Sequence, residues 1–453
     1  MENNKTMARD LTQGGVTGLL LTFAFPLLCS NLLQTVYNMV DMVVIGQFVG
    51  KTGLSAVSIG GDVLGFVTFL IMGFSNAGQV ILSQYIGAGR QDRVKGTIGT
   101  MFTLTFAMAV VLSLVFGLFL NQFLALMNTP EECLQYTWEY SVICIMGMVF
   151  IYGYNLVSAI LRGMGDSKRP LMFIAVATVV NLVLDLVFVA GAHMGPAGAA
   201  LATVIGQGVS FLWAIVYLYR RREAFGFDFK PASFRPDPAV LPQLIKLGLP
   251  MCLQSAAIHM SMLFVNSYIN SYGVVASAVT GIGNKLGSIT AVVTNALSTA
   301  GSSMVGQNLG ARKYHRVPKI IGVSAVLDLA FALVLSALTV FFPRTIFGLF
   351  NSDPEVLDMA MTYIPVAVLL YMGFAARSPF FALINGSGNA KLNLTVGLLD
   401  GVVCRVGLAM LLGLVMDMGI MGFWLGNAFA GYVPFFIGGV YFLSGTWKRR
   451  RIA

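Results

Sequence analysis

Five carboxylic acids lie inside long apolar runs of this chain: Asp41, Asp62, Asp185, Asp328 and Asp400. A charged side chain at the centre of a bilayer costs about 2.5 to 3.5 kcal/mol on insertion scales, so each acid requires a partner, a proton or water. Two of them have companions. Asn31, Gln34, Asn38 and Asp41 follow steps of three, four and three residues, with Tyr37 one turn before Asp41, which gives one polar face of a helix. Asn181 and Asp185 are likewise one turn apart. Counting from the ends of the apolar runs, Asp41, Asp185 and Thr203 lie at a common depth of roughly 10 Å. Two carboxylates, an amide and a hydroxyl at one depth suit a coupling-ion site. Neighbouring buried carboxylates can load and release a proton, and the same hard oxygens suit sodium at Asp41, Asn181, Asp185 and Thr203. The alternative is that these groups only hydrogen-bond between helices. Asp62 and Asp328 lack an evident polar companion set, which favours the structural reading for both.

The elements that position these residues are membrane helices. Charged residues make up 10% of the chain and hydrophobic ones 57%, a balance that no water-soluble globule could bury. Apolar runs long enough to span a bilayer stand near 16–40, 54–81, 97–120, 134–160, 170–190 and 197–219, and again near 243–270, 275–303, 320–342, 356–383, 392–415 and 419–443. The expected fold is therefore an all-α integral membrane protein with twelve transmembrane helices. The first run is too long and too polar for a cleavable signal, with Pro26, Asn31, Gln34 and Asp41 inside it.

The chain also repeats itself. Gln84, Gly87, Ala88, Arg93 and Val94 recur 223 residues later as Gln307, Gly310, Ala311, Arg316 and Val317, and Ala159, Gly163, Gly165 and Lys168 recur as Ala382, Gly386, Gly388 and Lys391. Met194, Gly195, Gly198, Leu201 and Tyr217 return one residue later still, as Met418, Gly419, Gly422, Leu425 and Tyr441. A repeat of half the chain means two similar lobes. Six spans per lobe make them parallel repeats, as in transporters. The lobes are expected at 1–222 and 243–453, joined by a proline-bearing linker at 223–242 that runs as a strap along the inner surface.

With the N-terminus inside, 23 of the 28 lysines and arginines fall on the cytoplasmic side, so both termini are expected there, in the cytoplasmic membrane of a bacterium or archaeon. The net charge of +9 is then a signal of topology and of contact with anionic lipids; no nucleic-acid partner is expected. Four of the five cysteines lie in spans and none forms a C-x-x-C pair, so neither a disulfide framework nor a zinc site is implied, and no cofactor is expected. The spans of the second lobe carry Lys285, Arg377 and Arg405. Arg405 follows Asp400 by five residues, which allows an intrahelical pair at imperfect spacing. Arg377 falls at the position of Tyr154 in the first lobe, beside Asn155, which gives it a cavity-facing or a structural role. His259 reads as a packing residue. The 24 methionines suit a repackable pocket for apolar ligands, and many also suit lipid contact.

Phe25-Pro26, Gln34, Tyr37-Asn38-x-x-Asp41, Gly46, Gly50 and Leu54-Ser55-Ala56-Val57 resemble the opening of the multidrug and toxic compound extrusion (MATE) family, and Leu161-Arg162-Gly163-Met164-Gly165-Asp166-Ser167 is similar to that family's loop between helices four and five. The resemblance spans essentially the whole chain. It implies a cation-coupled antiporter of two six-helix lobes around a central cavity, exporting amphipathic drugs, toxins or metabolites against protons or sodium. Asp41, Asn181, Asp185 and Thr203 match the ion-site positions of the DinF-like branch, with Tyr37 and Asn155 lining the same pocket. The branch with its key acid in helix seven fits poorly, because Met251 to His259 contain no carboxylate. Gln34, Asn38 and Arg377 complete the expected substrate cavity, and a monomer is expected. A lipid-linked precursor flippase is the alternative transporter. A membrane enzyme would need a nucleophile or metal motif such as H-E-x-x-H or a P-loop, and the chain has neither.

Overall fold

The computed structural model describes residues 7–127 and 129–450. Lys5 and Arg451, counted above among the basic residues, lie outside the described residues. Among those described there is no strand, as the bilayer requires of a chain whose backbone groups must pair within their own segment. Twelve helical rods follow one another: α1 (Val16–Phe48), α2 (Lys51–Gly87), α3 (Gln91–Leu118), α4 (Glu131–Met146 and Met148–Gly163), α5 (Lys168–Gly191), α6 (Gly195–Arg220), α7 (Leu241–Asn270), α8 (Val274–Gly310), α9 (Tyr314–Phe341), α10 (Pro354–Gly386), α11 (Ala390–Val415) and α12 (Gly419–Ser444). Ten are long and apolar enough to cross a membrane, and α4 makes an eleventh span bent by 52° at Gly147. The twelfth rod, α8, spans 37 residues but is rich in Gly, Ser and Thr and carries Asn284 and Lys285, so it falls short of that apolarity.

By contact the chain divides into two compact units. One holds the residues up to Asp10 together with Phe25–Gly248, and the other holds Leu11–Ala24 together with the chain from Leu249 onward. The same local packing recurs in both. A Cβ at Gly163 would stand 2.9 Å from the carbonyl oxygen of Gln79, and a Cβ at Gly386 would stand 2.7 Å from that of Ser302. Both members of each contact are related by the 223-residue offset. Small residues at such crossings are what lets membrane helices touch backbone to backbone.

The change of offset has a structural origin. The fifth rod of each unit ends in a π-helical turn, Leu186–Gly191 and Leu411–Val415, but α11 carries a second π segment, Leu398–Val406. A π turn closes its hydrogen bonds over five residues instead of four and so absorbs one extra residue. That accounts for 223 becoming 224 between Lys168/Lys391 and Met194/Met418.

The linker docks on the first unit. Phe225 and Phe227 are fully buried; Phe227 stacks against Phe102 of α3 at 6.0 Å between ring centroids, and Phe234 meets Phe102 edge-on at 5.6 Å. Asp228 accepts from Ser233 Oγ at 2.6 Å and from Lys95 Nζ at 2.9 Å, and these bonds hold its carboxyl well below the usual carboxylate range. A depressed pKa means the contact is complete above the ordinary carboxylate pKa near 4 and is lost only as the pH falls below it. Truncating a buried phenylalanine to alanine costs about 3 to 5 kcal/mol. We therefore expect Phe227→Ala to free the strap, so that chymotrypsin cuts after Phe234 at least about tenfold faster than in wild type while the rods stay protected. An unchanged cleavage rate would show that the aromatic cluster does not hold the linker.

Candidate ion and substrate site

Four of the buried polar groups of the first unit converge. Asp41 on α1, Asn181 and Asp185 on α5 and Thr203 on α6 are 6%, 2%, 0% and 4% exposed. The carboxyl of Asp41 faces those of Asp185 and the side chains of Asn181 and Thr203. Thr203 Oγ1 donates to Asp41 Oδ2 at 3.5 Å, and Tyr37 OH donates to Thr203 Oγ1 at 3.4 Å. The crossing of α5 and α6 is close enough to make this possible: a Cβ at Gly206 would stand 2.9 Å from the Ala177 carbonyl and 3.2 Å from Asn181 Cβ.

What the cluster lacks is positive charge. No ion pair among the described residues involves Asp41 or Asp185. Asp41 Oδ1, both oxygens of Asp185, Asn181 Nδ2 and Gln207 Oε1 are buried without a hydrogen-bond partner. Two uncompensated carboxylates in that setting are costly, so the arrangement suits a proton or a cation. Among the described residues no group of three or more His, Cys, Asp or Glu could hold a metal ion. Two carboxylates with an amide and a hydroxyl are a different donor set, all oxygen, which fits a proton or a small hard cation.

A cavity of about 520 Å³ opens beside the cluster. Its wall contains Gln34, Tyr37, Asn38, Asp41, Asn155 and Thr203, six of the residues singled out from the sequence. Asn155 Nδ2 is tied to the Ile151 carbonyl at 2.9 Å, which fixes its oxygen as the free end. The same wall also holds Ser58, Asp62, Tyr140 and Gln207. Asp62 therefore joins the cavity, although the sequence reading gave it no companions. The signal was present at helical spacing: Ser58 and Asp62 are one turn apart on α2, and Gln207 follows Thr203 by one turn on α6.

The charges of the second unit are arranged differently. Asp400 and Arg405 form a buried ion pair at 2.7 Å, and Arg405 also donates to the side chain and backbone carbonyl of Asn427. The five-residue spacing is no obstacle because both residues lie in the π segment, where residues five apart share a face. Arg377 has its guanidinium carbon 4.3 Å from the centroid of Phe374 and 6.0 Å from that of Phe381. Asp328 is wholly buried with neither oxygen bonded. Lys285 is exposed, and His259 Nδ1 lies 2.9 Å from the Ser255 carbonyl.

The MatE family model matches residues 26–187 and 250–425, one block in each unit. The chain belongs to this family. It is thus a multi-pass membrane transporter and not an enzyme. It is 30% identical over 436 residues to the probable multidrug resistance protein YoeA of Bacillus subtilis, covering 95% of this chain and 94% of that one. It is 27% identical over 406 residues to a protein of Shewanella oneidensis named FAD transporter, covering 86% of each. Among solved structures, a MOP superfamily transporter from Pyrococcus furiosus superposes with a TM-score of 0.89 at 22% identity, covering 99% of this chain and 98% of the other. The helical architecture above is therefore the MatE fold.

The buried pair of the second unit gives a test that separates structural from functional charge. Removing one member of a buried ion pair leaves the other uncompensated and costs about 3 to 5 kcal/mol. Arg405→Gln should lower the thermal unfolding midpoint in detergent markedly, and adding Asp400→Asn should recover most of the loss. A double variant as unstable as Arg405→Gln alone would show that Arg405 acts through something other than Asp400.

Proposed function

We propose that this MatE protein is a secondary active antiporter that exports amphipathic organic compounds in exchange for protons or sodium. Asp41, Asp185, Asn181 and Thr203 form the coupling site, and Gln34, Tyr37, Asn38 and Asn155 line the substrate cavity beside it. One observation carries the reading: of two buried carboxyl groups without a cation, Asp41 and Asp185, the first stands in the wall of a cavity large enough for an organic molecule. The donor chain from Tyr37 through Thr203 to Asp41 joins the two compartments. A substrate that takes the Tyr37 hydroxyl, or an ion that takes Asp41, withdraws a bond from the other, and such reciprocal competition is what exchange requires. The two repeats, residues 1–222 and 243–453 with the linker at 223–242, would alternate access in the cytoplasmic membrane with both termini inside.

The names of the relatives, from multidrug resistance to FAD transport, support a substrate range that is not restricted to cations. Arg377 is the residue we assign to anionic or zwitterionic amphipaths, since no acid pairs with it among the described residues and its guanidinium is stacked and weakly hydrated. Competition between matched anionic and cationic amphipaths should show wild type favouring the anion over Arg377→Gln by about tenfold, and equal binding would make Arg377 structural.

Proteoliposomes with an imposed pH or sodium gradient test the coupling directly. Asp41→Asn and Asp185→Asn keep volume and hydrogen bonding but cannot exchange charge. Each should cut gradient-driven transport by at least about tenfold while substrate binding persists. Asn181→Ala and Thr203→Ala remove one neutral oxygen each and should shift the ion dependence more mildly. Near-normal gradient-driven transport by well-folded Asp41→Asn would rule the site out.

A further inference from the structure

At the start of α9 the second unit gathers cations without acids. Arg312, Lys313, His315, Arg316 and Lys319 fall within eight residues, and the sequence contains no Asp or Glu between Asp237 and Asp328. The corresponding loop of the first unit is neutralised, with Arg93 paired to Asp237 at 3.3 Å and to Asp92 at 3.6 Å, and Lys95 to Asp228 at 2.9 Å. In the second unit two of the cations hold backbone instead. Lys313 Nζ donates to the Thr12 carbonyl at 3.0 Å, and Arg316 Nη2 donates to that of Gly14 at 2.9 Å. Leu11 is fastened alongside by Gln307 and Asn308.

This docking leaves a cavity of about 480 Å³ between residues 14–17 and the start of α9, lined by His315, Arg316 and Lys319 and by no acid. Among the described residues the side chains of His315 and Lys319 make no hydrogen bond or ion pair, and Arg316 Nε is buried without a partner. The first turn of α1 contributes the N–H groups that no intrahelical carbonyl can take. Both helices enter their apolar stretches here, at Val16 and Val317, which is the depth at which lipid phosphates lie.

We propose that this cavity binds a phosphate group, with Lys319, His315 and Arg316 as its donors. The phosphate can come from an anionic lipid headgroup or from a soluble phosphate compound. In either case it would sit where Arg316 fastens the segment before α1 to α9, and so reinforce that junction.

The test uses the full chain in detergent with two probes. Native mass spectrometry follows binding of phosphatidic acid against phosphatidylcholine, and phosphorus NMR titration follows inorganic phosphate. The variant is Lys319→Gln with His315→Gln, two exposed side chains whose loss breaks no described bond, while Arg316 is kept because it holds Gly14. Arg312→Gln removes a charge from the same loop outside the cavity and is the control. The double variant should bind at least one probe about tenfold more weakly or worse than wild type, with the control unchanged. A loss confined to phosphatidic acid identifies the bilayer as the source, and a loss with inorganic phosphate identifies a soluble ligand. Equal binding by wild type and double variant in both arms, or the same loss in Arg312→Gln, overturns the proposal.

Discussion

A carboxylate inside a bilayer must be answered by something of opposite charge, and this chain answers its two clearest cases in opposite ways. Asp400 is met by a guanidinium of its own helix, five residues on, which also donates to Asn427. Asp41 and Asp185 are met only by an amide, a hydroxyl and each other. The first arrangement is closed: its charge is balanced inside the protein and nothing needs to enter. The second is open, because no basic side chain among the described residues stands opposite those carboxyls. The coupling site we propose is of the second kind.

The duplication shows how one scaffold yields both. Counted with the later offset of 224, Asn181 corresponds to Arg405, Asp185 to Ala409 and Thr203 to Asn427. The second unit thus places a resident cation where the first has an amide, and a methyl group where it has a carboxyl. Arg405 reaching Asn427 repeats the joining of the fifth and sixth rods of the unit, but with a permanent charge built in. The glycine contacts at Gly163 and Gly386 are unchanged between the repeats, so backbone packing has been retained while the polar interior has diverged.

Much of this was legible in the sequence because membrane helices leave few choices. Length and hydropathy placed the rods, and helical spacing placed Asn181 with Asp185 and Tyr37 with Asp41. Where the reading fell short, the cause was local. Asp62 looked solitary because only Ser58 stands beside it on its own helix, while Tyr140 and Gln207 come from other helices, and spacing along one helix cannot reveal a neighbour across a gap. Residues 11–24 were counted with the first lobe because they precede it in sequence. They pack with the second because Gln307, Asn308, Lys313 and Arg316 bind their backbone, a preference no periodicity records. The run near 275–303, expected to span, is the rod α8, which is less apolar than the other rods and whose repeat relation to α2 supports the reading.

The π turns connect these strands of evidence. An inserted residue in a membrane helix would rotate everything beyond it by about 100° and turn a polar face toward lipid. Widening one stretch of helix to a π turn absorbs that residue and restores the register afterwards. In α11 the stretch so widened is the one that carries Asp400 and Arg405, and the widening is what lets a five-residue spacing close into an ion pair. The insertion that shifted the repeat offset therefore also supplied the geometry for neutralising Asp400 within its own helix. That leaves the first unit, whose α5 keeps α-helical spacing through Asp185, as the one with a buried carboxyl pair that no basic side chain among the described residues meets.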